Sequence, residues 1–157
     1  MEIFSAECDL SKEEMFRKIS EHLYTKGYVK ESYLESLLHR ESLHPTGLKV
    51  EDLISIAIPH TDVEHVNKQT MVVVKNAHSH FDFQRMDEPS ETLSVNLALL
   101  LVVKEPDGYV NFLAALTSLF QEDSFIDLLS ASPPDQICKS LVEKLDKFNL
   151  VYEGDLC

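Results

Sequence analysis

Apolar residues follow helical spacing near both ends of the chain and strand-like spacing in its middle. Ser11-Lys12-Glu13-Glu14 is a capping-box pattern, after which Met15, Phe16, Ile19, Leu23 and Tyr24 recur on one helical face until Gly27. A second helix is expected from about Lys30 to Ser42, with Tyr33, Leu34, Leu37 and Leu38 inward, ending at the loop Leu43–Gly47. Short strands are expected around Ile3-Phe4, at Ser55–Pro59 and at Phe81–Phe83. Gln69–Asn76, with its run Met71–Val74, reads as a buried strand, and Leu93–Val103 as one long buried strand. Helical spacing returns from Asp107 or Gly108 through Phe120, briefly at Phe125–Leu129, and after Pro133-Pro134 through Leu145. This order predicts an α/β fold, a single-domain sandwich with a mixed β-sheet flanked by helices. One domain is expected over residues 1–150, with residues 151–157 fraying.

Composition narrows the class. The chain has 157 residues, 44% hydrophobic and 26% charged, which is globular composition. A net charge of −13 argues against a nucleic-acid partner and favours docking on basic protein surfaces. The longest apolar run, Leu97–Val103, is far short of the roughly 20 residues that span a membrane. Residues Met1–Glu7 lack a secretory pattern, so a cytoplasmic protein without direct membrane insertion is expected. Cys8, Cys138 and Cys157 are widely spaced and have no metal-ligand spacing, so reduced thiols are expected and neither a disulfide framework nor a zinc site. No phosphate-binding loop or Gly-rich kinase loop occurs, and no cofactor is expected.

The chemistry concentrates in Arg40–Gly47 and Ile56–Thr61. His60 follows a predicted strand end, where Pro59 fixes its own φ and holds Ile58 extended. Imidazole, with an ordinary pKa of roughly 6.5, is a competent neutral nucleophile toward phosphorus. Arg40 offers a permanently cationic clamp, and Thr46 or Thr61 a hydroxyl donor. Phosphoryl transfer needs chiefly positioning and charge stabilisation, which such a set supplies. From composition alone, a lone histidine at a strand end is more often a surface or hydrogen-bonded structural residue, and an arginine near a helix C-terminus is favourable there in any case.

The series R-E-x-x-x-x-T-G followed by I-A-I-P-H-T resembles the active-site region of fructose/mannitol-type IIA components of the sugar phosphotransferase system. The sub-pattern H-P-T-G-L before I-A-I-P-H most resembles the galactitol-specific branch, and the similarity runs from about Phe4 to Leu145. The resemblance implies that His60 is the phosphoacceptor, taking a phosphoryl group from the phosphohistidine of HPr. It would then pass the group to a cysteine of a IIB component, and indirectly serve the membrane IIC component. It also implies that Arg40 contacts the phosphoryl group. The expected activity is thus a protein-to-protein phosphotransferase without ATP, serving uptake of galactitol or a related sugar or polyol. The alternative is a regulatory IIA-like module of the nitrogen-branch type; the isolated chain, with no DNA-binding helix pair, favours transport.

One departure stands out. Many mannitol- and fructose-type members carry a second active-site histidine where this chain has Tyr109, whose phenol can still donate to a phosphoryl oxygen. His44 is a candidate to line the site, whereas His65 reads as a surface residue; Asp62 and Glu64 could repel or orient a phosphoryl group, although exposed acidic residues are common. His78-Ser79-His80 reads as a turn rather than a metal site. Leu43, Ile58 and Val110 are expected to form an apolar rim on which HPr and IIB dock.

Overall fold

The capping box at Ser11 forms as expected: Ser11 Oγ accepts the Glu14 amide at 3.2 Å, and Glu14 Oε1 accepts the Ser11 amide at 3.1 Å. It starts helix α1 (Lys12–Thr25), and Gly27 ends it at a φ of +83° that favours glycine. The computed structural model describes residues 1–157, and the remaining elements follow in chain order. Strand β1 (Glu2–Cys8) precedes α1; after it come α2 (Tyr33–Leu43), β2 (Gly47–Val50), β3 (Ile54–Ala57), β4 (Thr70–Asn76), β5 (Phe81–Gln84), β6 (Thr92–Val95) and β7 (Leu97–Val102). Helices α3 (Pro106–Leu119), α4 (Asp123–Ala131) and α5 (Pro134–Lys144) lead to a last strand, β8 (Val151–Asp155). No helix is long and apolar enough to cross a membrane.

The main sheet has the order β2-β3-β7-β4-β1-β8 and mixes directions: β1 runs parallel to β4 and β8, whereas β4 runs antiparallel to β7. Alternation along the central strands divides the core in two. Ile3, Met71, Val73, Leu99 and Leu101 face α3, α4 and α5, packing with Leu116, Phe125, Ile137 and Leu141. Phe4, Val72, Val74, Leu100 and Val102 face α1 and α2, packing with Phe16, Leu23, Tyr33 and Leu37. The predicted sandwich of helices around a mixed sheet is therefore present.

Three expectations change. The segment Leu93–Val103 is two strands, not one. Asn96 breaks it: its side chain donates to the Ser79 carbonyl at 2.7 Å and its own carbonyl accepts the Asn76 amide at 2.9 Å. The chain therefore passes from the separate β5-β6 hairpin into the main sheet. Strand β2 was not expected; positive φ at Glu51 and Asp52 folds it back antiparallel onto β3. The tail does not fray. Residues Val151–Asp155 pair with β1, Leu156 is 4% exposed, and Ser5 Oγ donates to Asp155 at 2.7 Å.

Candidate active site

Helix α2 and the end of β3 build the site. Ser36 and Arg40 lie one turn apart on α2 and meet the two residues that follow His60. Ser36 hydrogen-bonds Thr61 through their hydroxyls, and Arg40 Nη1 lies 3.0 Å from the Asp62 carboxylate. The segment carrying His60 is fastened from both sides. The Ile58 amide donates to the Thr46 carbonyl at 3.3 Å, and the Leu101 amide donates to the Pro59 carbonyl at 3.0 Å. Ile58 and Pro59 are buried, and His60 is the first side chain to emerge.

His60 Nδ1 lies 3.0 Å from the Ile58 carbonyl oxygen. A carbonyl only accepts, so in the neutral ring Nδ1 carries the proton and Nε2 the lone pair. Burial lowers the pKa of His60 below its ordinary value; the Arg40 charge adds to that, while the Ile58 bond and Asp62 oppose it. The neutral ring is thereby favoured. Tyr109 packs against it from the start of α3, with ring centroids 6.2 Å apart. Burial raises the Tyr109 pKa and Arg40 opposes that shift, so the phenol keeps its proton.

Arg40 is half-buried, and its Nε is buried without a hydrogen-bond partner in the chain. A buried unpaired donor of a charged group is costly, by more than the roughly 1–3 kcal/mol of a neutral one. The side chain as a whole is 34% exposed, and its charge reaches His60. His60, Arg40 and Tyr109 thus lie near one another, with Asp62 paired to Nη1 of the guanidinium.

Thr46 does not join them. It is 2% exposed, and its hydroxyl donates to both oxygens of the Glu41 carboxylate, at 2.8 and 2.9 Å. The Thr46 amide donates to the same carboxylate at 3.0 Å. The expected hydroxyl donor to a phosphoryl group is spent on the fold. Thr61 is likewise buried and bonded to Ser36. Of the proposed rim, Leu43 and Val110 are 60% and 65% exposed, but Ile58 is in the core at 6%. His44 is exposed beyond α2, and His65 binds Ser32 at 2.8 Å. Asp62, weighed as an exposed acid or as a group that orients the phosphoryl, is exposed and pairs with Arg40. His78–His80 lie in the bend between β4 and β5.

Two residues of the R-E-x-x-x-x-T-G series were given no role by the sequence reading. Glu41 is buried, and desolvation pushes its pKa up to about 7 against the opposing bonds from Thr46 and the charge of Lys12. Its position beside Arg40 and five residues before Thr46 was the available signal. Gly47 is required by close approach: a Cβ there would sit 2.6 Å from the Gln84 carbonyl oxygen.

A family model described as phosphoenolpyruvate-dependent sugar phosphotransferase system, EIIA 2, matches residues 3–144. The galactitol-specific EIIA component of Escherichia coli (strain K12) is 25% identical over 128 residues, covering 82% of this chain and 83% of that protein. The mannitol-specific EIICBA component of the same strain is 28% identical over 130 residues, 82% of this chain but 19% of that larger protein. Among solved structures, mannitol enzyme IIA in complex with phosphorylated mannitol enzyme IIB from Escherichia coli matches with a TM-score of 0.63 and 25% identity. That match covers 92% of this chain and 94% of the other. The nitrogen regulatory protein IIA-Ntr from Neisseria meningitidis shares the fold, with a TM-score of 0.54 and 21% identity over 87% of this chain and 89% of that one. The chain belongs to the EIIA 2 family of the phosphoenolpyruvate-dependent sugar phosphotransferase system.

Proposed function

We propose that His60 carries a phosphoryl group between two proteins, taking it from HPr and giving it to a cysteine of a IIB component. The observation that supports this most is the bond from Nδ1 to Ile58, which leaves the lone pair of Nε2 facing out beside Arg40. In the first step Nε2 attacks phosphorus. The new N–P bond forms as the donor's N–P bond breaks, and the donor imidazole leaves with the electron pair. In the second step a IIB thiolate attacks, an S–P bond forms, and the electron pair returns to Nε2. No nucleotide enters either step.

Arg40 supplies the stationary charge for the phosphoryl oxygens from its partly exposed side chain. Tyr109 replaces the second histidine of many relatives as a neutral donor. Leu43 and Val110 give the partners an apolar contact beside the charged site. The galactitol-specific relative, matched over four-fifths of both chains, favours transport of galactitol or a related polyol over a regulatory role.

The test is a reconstituted relay of Enzyme I, HPr, this chain and a galactitol-type IIB, started with phosphoenolpyruvate. Label reaching the IIB cysteine only when this chain is present supports the reading. A chain that takes label from HPr but never delivers it to any IIB favours the regulatory role.

A further inference from the structure

We infer that Glu41 is a positioning residue for phosphoryl transfer: by holding Thr46, its carboxylate sets Arg40 and His60 in place against one another. The inference rests on the phosphohistidine reading above. Arg40 and Glu41 are neighbours at the end of α2 but reach different elements, Arg40 to Asp62 beyond β3 and Glu41 to Thr46 before β2. From Glu41 a continuous series of hydrogen bonds leads to the reacting ring. The Thr46 amide and hydroxyl donate to the carboxylate, the Ile58 amide donates to the Thr46 carbonyl, and His60 Nδ1 donates to the Ile58 carbonyl. The same six-residue stretch, Glu41 to Thr46, is the direct chain link between the helix that carries Arg40 and the strand pair that carries His60.

An apolar side chain would fill this 5%-exposed position without the penalty of burying a carboxyl. What a leucine could not do is grip both donors of Thr46. A buried polar group that breaks the local rule, and that hydrogen bonds through Thr46 and Ile58 link to His60, fits a geometric duty better than a packing one. Misplacing a reacting group by an ångström costs about 100-fold in rate, so the grip has kinetic weight.

The test compares wild type, Glu41→Leu and Glu41→Gln in single-turnover transfer from phosphorylated HPr, with ring ¹⁵N spectra of His60 recorded on the unphosphorylated proteins. Glu41→Leu keeps the volume and loses the grip. Its transfer rate is expected to fall by about 10- to 100-fold at an unchanged KM for HPr. Its His60 should populate both neutral tautomers, where the wild type holds the proton on Nδ1. Glu41→Gln retains an acceptor oxygen for Thr46 and should recover most of the rate and the single tautomer. A folded Glu41→Leu protein with wild-type rate and tautomer overturns the inference, as does a Glu41→Gln protein as slow as Glu41→Leu. Should Glu41→Leu not fold, Glu41→Ala in the same assays decides by the same criteria. A wild-type protein that takes no label on His60 would instead sink the phosphohistidine reading itself.

Discussion

His60 is oriented by the segment that leads into it: its Nδ1 lies 3.0 Å from the carbonyl oxygen of Ile58, two residues earlier in the chain. Because Pro59 holds that stretch extended and Leu101 binds the Pro59 carbonyl, the acceptor oxygen has little freedom to move. In the proposed transfer, Nε2 is thus the free nitrogen before any partner arrives. Such pre-organisation is the main service a protein renders to phosphoryl transfer.

Burial and Arg40 both lower the His60 pKa, so its neutral form persists below the ordinary value of roughly 6.5. The rate of phosphoryl acceptance should therefore stay level as pH falls to that point and decline only below it. Arg40→Ala should move the acid limb upward and also slow transfer by about 100-fold or more. Asp62→Asn should move the limb further down, since Asp62 favours the protonated ring. Pre-steady-state rates across pH check all three, and a limb that ignores both substitutions contradicts the electrostatic account.

Glu41 carries a stability prediction of definite sign. Its folded pKa, near 7, is raised above the unfolded value, so its contribution is present below about pH 4.5 and is lost as pH rises through 7. Glu41→Gln does not titrate and keeps an acceptor for Thr46. The stability of Glu41→Gln relative to wild type should increase by something of order 1–3 kcal/mol between about pH 5 and pH 8. Urea unfolding at the two pH values measures it. Parallel pH dependences of the two proteins would rule it out.

Gly47→Ala should destabilise the domain by about 1–3 kcal/mol, because the obstacle 2.6 Å from the new Cβ is a backbone carbonyl rather than a mobile side chain. Gly108→Ala, where nothing lies within 4 Å, is the control. Equal thermal midpoints for the two variants would show that β2 and β5 can separate without cost.

Much of this architecture is legible in the sequence, and the exceptions have physical causes. Helix α1 announces itself through Ser11 and Glu14, and the sheet core through Met71–Val74, because capping and apolar runs are local signals. The break at Asn96 was hidden since its reason, bonds to Ser79 and Asn76, lies far along the chain. Strand β8 alternates exposed and half-buried residues and belongs to the sheet only through its pairing with β1. At the site, His60, Arg40 and Tyr109 could be nominated from the resemblance to the family's active-site region. The duty of Thr46 could not, because a hydroxyl looks the same whether it faces a ligand or a buried carboxylate. Burial alone decides between them.

The central claim is that His60 is the phosphoacceptor, and direct labelling tests it. Wild type, His60→Ala and His60→Gln are incubated with Enzyme I, HPr and labelled phosphoenolpyruvate, and the modified residue is mapped. The account predicts one acid-labile phosphoryl group on Nε2 of His60 in wild type and none in either variant. A His60→Ala protein labelled as fully as wild type would contradict it.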